Sequence, residues 1–157
     1  MKKVSILLIT VCFFLTGCGE DPENTISNIA STIEKNTGIQ NLHTLSLENA
    51  KKQFKISEEE VETFVVRTTY TDADLTEYGV FYVNDEKYLK DVKSKIKKHT
   101  QEVASRMKKV DNSYYDIAKE AVIKEKDNYI FYSIAENQEA MKTVFLGYFD
   151  QEQPKDK

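Results

Sequence analysis

The apolar positions of this chain switch between helical and strand periods and predict nine elements after residue 24. From Thr25 to Thr37, Ile26, Ile29, Ala30 and Ile33 share one helical face, and Gly38 supplies a stop. Leu47–Phe54 predicts a second short helix with Ser46 as its cap, and Ser57-Glu58-Glu59-Glu60 has capping-box spacing before an extended run. Glu62–Tyr70 is rich in β-branched and aromatic residues. Tyr78–Val83, apolar on both faces, belongs inside a sheet. Leu89, Val92, Ile96, Val103, Met107 and Val110 recur at three- and four-residue steps, with the seven-residue step from Ile96 to Val103 spanned by His99 and Thr100, and predict a long helix, Glu86–Val110. Asp111-Asn112-Ser113 interrupts it and caps a short helix, Tyr114–Lys119. Ala121–Glu125 and Tyr129–Ala135 read as strands around the turn Lys126-Asp127-Asn128. Asn137 caps a final helix, Gln138–Phe149, striped by Met141, Val144, Phe145, Tyr148 and Phe149. The order α-α-β-β-α-α-β-β-α predicts an α+β domain: a four-stranded, mainly antiparallel sheet made of two β-hairpins, with helices packed on one face.

The first eighteen residues follow a different pattern. Lys2 and Lys3 precede an apolar run, Val4–Leu15, and the run ends in Leu15-Thr16-Gly17-Cys18. A cationic start, a short apolar core and small residues at the end are the layout of an export signal. The final four residues resemble the lipobox of bacterial lipoproteins. That resemblance implies a diacylglyceryl group on the Cys18 thiol and cleavage just before it. The apolar run is about a dozen residues long, and a membrane span needs about twenty. The expected organisation is therefore a cleaved signal over 1–17, a lipidated cysteine and polar tether over 18–24, one domain over 25–150 and a polar tail over 151–157. The expected location is the outer face of the bacterial cytoplasmic membrane. The expected cofactor set is empty apart from the covalent lipid.

Charge sharpens this picture. Loss of residues 1–17 removes two lysines and changes the formal net charge from −4 to −6, a balance that argues against a nucleic-acid partner. Cys12 leaves with the signal and Cys18 is consumed by lipid, so the domain is expected to fold on its core without disulfide or thiol chemistry. Within 87–109, nine basic residues face only Asp91 and Glu102, a local charge of +7. Lys87, Lys90, Lys97, Lys98, Lys108 and Lys109 lie opposite the apolar stripe of the long helix, with Lys93, Lys95 and Arg106 flanking it. The rest of the mature chain then carries −13, so a basic helix on an acidic body is expected. A face of this kind is either solvated or in contact with anionic envelope polymers or headgroups, for which mobile lysine charges are suited.

Other chemistry is sparse. Asp72, Asp74 and Glu77 cluster between the first two strands without the regular oxygen spacing and glycine of a calcium loop. Glu77 is placed to pair with Arg67 across the hairpin. His99 falls at the edge of the apolar stripe and reads as a boundary residue, and His43 lies in a polar stretch. No catalytic or metal-ligating motif is present. Tyr70, Tyr78, Tyr82, Tyr114, Tyr115, Tyr129, Tyr132 and Tyr148, with Phe81 and Phe131, either pack the core and sheet face or line a groove for a peptide or sugar.

The stretch from Phe54 to Phe149 resembles a family of small lipoproteins of Gram-positive bacteria known as domain of unknown function 4358. The resemblance rests on Phe54-Lys55-Ile56, Asp74-Leu75-Thr76-Glu77-Tyr78-Gly79-Val80-Phe81, the Lys-rich helix with His99-Thr100-Gln101, Tyr114-Tyr115 and Asn128-Tyr129-Ile130. It implies a single exported domain and carries no activity with it. The expected function is a non-enzymatic, membrane-anchored binding or scaffold domain of the cell envelope. The alternatives are an envelope hydrolase or metal-dependent enzyme built on Asp74 and Glu77 with His43, His99 or Arg67, and an accessory subunit of a transporter or spore-envelope complex.

Overall fold

The computed structural model describes residues 21–69 and 75–151. Cys18, Asp72, Asp74, the signal segment and the tail beyond Gln151 lie outside the described residues. Five helices and five strands form in chain order: α1 (Pro22–Thr37), β1 (Leu42–Thr44), α2 (Leu47–Phe54), β2 (Val61–Thr69), β3 (Glu77–Val83), α3 (Glu86–Met107), α4 (Asn112–Lys119), β4 (Val122–Lys126), β5 (Tyr129–Ile134) and α5 (Gln138–Gln151). The strands make one antiparallel sheet of order β1-β2-β3-β5-β4. The α+β class and the two hairpins match expectation, and the sheet has five strands rather than four. The extra strand, β1, pairs Leu42, His43 and Thr44 with Thr69, Thr68 and Arg67. Three residues are too few to show a period of two, so the pattern of apolar positions could not reveal it.

The helices cover both faces of the sheet, not one. Alternation along β3 and β5 sends Phe81, Val83, Ile130, Tyr132 and Ile134 to one side, where they meet Phe54 of α2, Val92, Ile96, Val103 and Met107 of α3 and Ala118 of α4. Tyr78, Val80 and Phe131 point to the other side, against Ile26, Ile29 and Ile33 of α1 and Met141, Phe145 and Phe149 of α5. A strand apolar on both faces requires a cover on each, and two helical layers supply it.

Local chemistry sets the helix ends. The Asp21 carboxylate accepts the Glu23 amide N–H at 3.1 Å with Pro22 in the first turn, so α1 begins three residues earlier than its apolar stripe predicts. Gly38 closes it with φ of 69°, as expected. Ser46 caps α2 by accepting the Asn49 amide N–H, and the Ser57 amide and hydroxyl both donate to the Glu60 carboxylate in the turn before β2. Asp85 caps α3, which ends at Met107; Lys108, Lys109 and Val110 form the turn into α4, leaving Val110 62% exposed instead of on the buried stripe.

One glycine holds the centre of the sheet. Gly79 stands opposite Tyr132 in the β3–β5 register, and a Cβ there would lie 2.5 Å from the Tyr132 ring and 3.1 Å from both the Phe81 ring and the Val65 carbonyl. Tyr132 is fully buried and cannot swing into solvent. Gly79→Ala is therefore expected to destabilise the domain by about 1–3 kcal/mol, the usual range for overpacking a close-packed core, read as a lower urea midpoint. An unchanged midpoint would show that the ring moves freely.

Candidate functional site

Two features stand out on the α2–α3–α4 side of the sheet: a basic helix face beside a cleft, and a buried polar chain beneath the helix. On the face, Lys90, Lys97, Lys98 and Lys109 are exposed and make no ion pair with any described residue. Lys87, at the start of α3, pairs with Asp85 at 3.4 Å and lies over the Tyr88 ring, and the Lys108 ammonium sits 5.6 Å from the centre of the Tyr115 ring. The flanking lysines are the ones tied to the body: Lys93 to Glu125 at 3.2 Å and Lys95 to Glu60 at 2.5 Å. Burial works against the charged Glu60, but Lys95 and the Ser57 bonds outweigh it and hold the carboxyl below its ordinary range.

The cleft, about 580 Å³, opens where α3, α4 and β4 meet. On α3 its wall is Lys93, Lys97, Thr100, Gln101, Ala104 and Ser105, residues at the three- and four-residue steps of one helical face. Tyr115, Ala118 and Lys119 of α4 form the facing wall, and Ala121 and Ile123 close the floor. Small side chains at 104 and 118 let the two helices approach closely. Lys119 lies 5.9 Å from the Tyr115 ring centre.

The buried chain starts at Tyr132, whose hydroxyl donates to Glu77 Oε1 at 2.8 Å. The same oxygen is 2.5 Å from His99 Nε2. The Gln53 Nε2 lies 3.3 Å from that nitrogen. His99 is 5% exposed and packs against the Phe54 ring at 4.4 Å. It forms the inner edge of a second cleft with Lys52, Lys55 and Arg106 at its mouth. His99 is therefore a core residue with a carboxylate partner, not a boundary residue. On the other face of the sheet, Tyr78 donates to Glu34 at 2.8 Å, and Arg67 approaches the same carboxylate at 3.3 Å while bonding Thr44 at 2.6 Å.

The model of a family described as domain of unknown function (DUF4358) matches residues 35–135. The chain belongs to this family. No curated protein and no solved structure matches it. The DUF4358 region runs from the end of α1 through β5, so it holds the whole sheet, the basic helix, both clefts and the Tyr132–Glu77–His99 chain. It leaves most of α1 and all of α5 outside.

Within the DUF4358 domain the structure separates some predicted partners and unites others. Arg67 does not pair with Glu77. The register sets Arg67 opposite Tyr78, so Arg67 and Glu77 point to opposite faces. His43 stands opposite Thr68, itself opposite Glu77, so His43 shares the Glu77 face two strands away. Glu77 and His99 meet directly. Among the described residues no three metal-binding side chains converge and no helix is long and apolar enough to cross a membrane. Gln53, Lys119 and the role of Lys93 were not legible as site features. They come from α2, α4 and the flank of α3, and only the fold brings them to the clefts. Tyr78 and Tyr132 are packed core; Tyr115 is the tyrosine that walls the larger cleft.

Burial, followed by the bonded Glu77 charge, pushes the Tyr132 hydroxyl well above its ordinary value, and burial with Glu34 does the same to Tyr78. The native state therefore keeps both phenolic protons at a pH where the unfolded chain releases them. Stability is full below about pH 10 and falls as pH rises beyond it, by about 1.4 kcal/mol per unit for each tyrosine. Urea melts between pH 8 and 11.5 should show this fall, and a Tyr78→Phe/Tyr132→Phe chain should show a shallower one. Equal slopes in the two chains would refute it.

Proposed function

We propose that this DUF4358 protein is a lipid-anchored, non-enzymatic binding domain on the outer face of the bacterial cytoplasmic membrane, which presents the basic face of α3 to anionic envelope material. The observation that carries the reading is the set of α3 lysines left without ion pairs while their flanking neighbours are tied to the body of the domain. Cys18, behind its lipobox-like residues, supports the anchor: two acyl chains are what stable membrane residence needs. With α1 capped at Asp21, the acidic segment joining Cys18 to the domain is only a few residues long. This short connection favours a domain held close to the bilayer, with its partner among wall polymers or other envelope components near the surface.

Replacing Lys90, Lys97, Lys98 and Lys108 with Gln should weaken association with anionic envelope fractions about tenfold or more at low salt, and the native association should fall as salt rises. Cys18→Ala should move the protein from the membrane to the soluble fraction. A salt-insensitive association, unchanged by the four replacements, would sink the electrostatic reading. A Cys18→Ala chain that stays with membranes would sink the anchor.

The envelope-enzyme reading has one observation in its favour: Glu77 and His99 form a carboxylate–imidazole pair at the edge of a cleft. No serine or threonine hydroxyl among the described residues is bonded to His99, and its ring nitrogen is already engaged by two side chains. His99→Gln separates the readings. An envelope hydrolase loses its release of wall fragments, whereas a binding domain retains its affinity for envelope fractions.

A further inference from the structure

The basic face is not uniform, because at one place it folds inward. Lys97 is the one lysine of the expected face that also lines the α3–α4–β4 cleft, where Lys93 and Lys119 join it. Lys97 and Lys119 make no ion pair with any described residue, and no carboxylate lines the cleft. Beneath these charges the surface is apolar: Ala104, Ala118, Ala121 and Ile123, with the half-buried Tyr115 ring as one wall. The Lys119 ammonium lies 5.9 Å from the centre of that ring and the Lys108 ammonium 5.6 Å from it, both within cation–π reach.

This arrangement selects among anions. A flat lipid surface would engage the outer lysines and leave a recessed apolar floor unfilled. The cleft contains lysines and no arginine, so its cations act as point charges toward phosphate or carboxylate alike, and the floor between them decides what lies there. Point charges above a CH-rich floor, beside an aromatic wall, match alternating phosphates and carbon-rich units. The Thr100 and Ser105 hydroxyls donate to the Lys97 and Gln101 carbonyls of the helix, which leaves the lysines and the Gln101 amide as the donors toward a ligand.

We propose that the α3–α4–β4 cleft binds one segment of a phosphodiester-linked polyol or sugar chain, with phosphates held by Lys97 and Lys119 and the carbon-rich unit lying on the alanine floor against Tyr115. The proposal rests on the polyanion-binding reading above and narrows it to a site. Lys93, already paired with Glu125, serves as an outer contact.

The test uses the full chain in phosphatidylcholine nanodiscs, with a synthetic glycerol phosphate trimer as the probe. Lysine acetylation followed by mass spectrometry reads each site separately. Saturating trimer should slow modification of Lys97 and Lys119 about fivefold or more and leave Lys90, Lys98 and Lys109 within about twofold. By calorimetry, Lys97→Gln/Lys119→Gln should weaken trimer binding about tenfold or more, the scale of lost charge-assisted bonds, while replacing two exposed lysines away from the basic face, Lys35→Gln/Lys124→Gln, should change it less than about twofold. Neither pair is buried, and matching circular dichroism and melting curves confirm folding. Even protection along α3, or equal loss from both pairs of replacements, overturns the cleft and leaves diffuse adsorption. The same protection by hexaglutamate, or by phosphatidylglycerol discs without trimer, assigns the cleft to a peptide or to lipid and also overturns it. If the trimer fails to bind while envelope fractions still do, only the cleft is refuted. If both fail, the broader reading falls with it.

Discussion

The fold depends on a side chain that is absent. Gly79 leaves room for the Tyr132 ring to cross the middle of the sheet, between the two strands that are buried on both faces. Close packing of this kind is where interiors gain their specificity, because neither strand has a solvent-facing side to absorb a misfit. The register β1-β2-β3-β5-β4 keeps that contact central and places the shorter and more polar strands, β1 and β4, at the edges. Edge position is tolerable for them because one has three residues and the other is charged, with Lys124, Glu125 and Lys126 in sequence.

Burying tyrosines so deeply creates a polar obligation on each face. A phenol removed from water needs an acceptor, and a carboxylate is the strongest available. Glu77 meets Tyr132 on the α3 side and Glu34 meets Tyr78 on the α1 side. Each carboxylate is then held by a basic partner from a different element: His99 from α3 in one case and Arg67 from β2 in the other. The two clusters tie a helix on each face to the sheet centre through polar contacts, in addition to apolar packing. This makes the Glu77–His99 pair intelligible as architecture, since it completes the same pattern of phenol, carboxylate and base found on the opposite face.

Most of the secondary structure was legible because long elements carry long periods. The stripe of α3, the double-faced run of β3, the turn at Asp127, which takes φ of 52°, and the Ser46 and Asp111 caps are local signals, and they fall where the chain places them. The early start of α1 was also written locally, in Asp21 and Pro22, but the polarity of that stretch reads equally as a tether. What the sequence could not display depends on register. Arg67 and Glu77 look like partners across a hairpin until the pairing of Arg67 with Tyr78 puts them on opposite faces. His99 looks marginal on its own helix, and becomes core only because Phe54 of α2 and Glu77 of β3 arrive beside it. The cleft is hidden for the same reason: its two walls come from different helices, and much of its lining is Ala104, Ala118 and Ala121, residues with no chemistry of their own.

The basic face of α3 is hard to explain as a device for stability. Lys87 and Lys90 sit near the N-terminus, where the helix dipole disfavours cations. Lys87–Lys90, Lys90–Lys93, Lys93–Lys97 and Lys95–Lys98 are like-charged neighbours at three- and four-residue steps, each costing about 0.2–0.5 kcal/mol in an isolated helix. Exposed ion pairs return little, and on this helix only Lys87 and the flanking Lys93 and Lys95 have such partners among the described residues. The helix tolerates the pattern because Val92, Ile96, Val103 and Met107 are buried against the sheet and Asp85 caps its start. Its stability thus comes from the stripe and the cap, and the open lysines subtract from it. The proposed binding role would give that cost a purpose, and the recess lined by Lys97 and Lys119 is where the proposal is most specific.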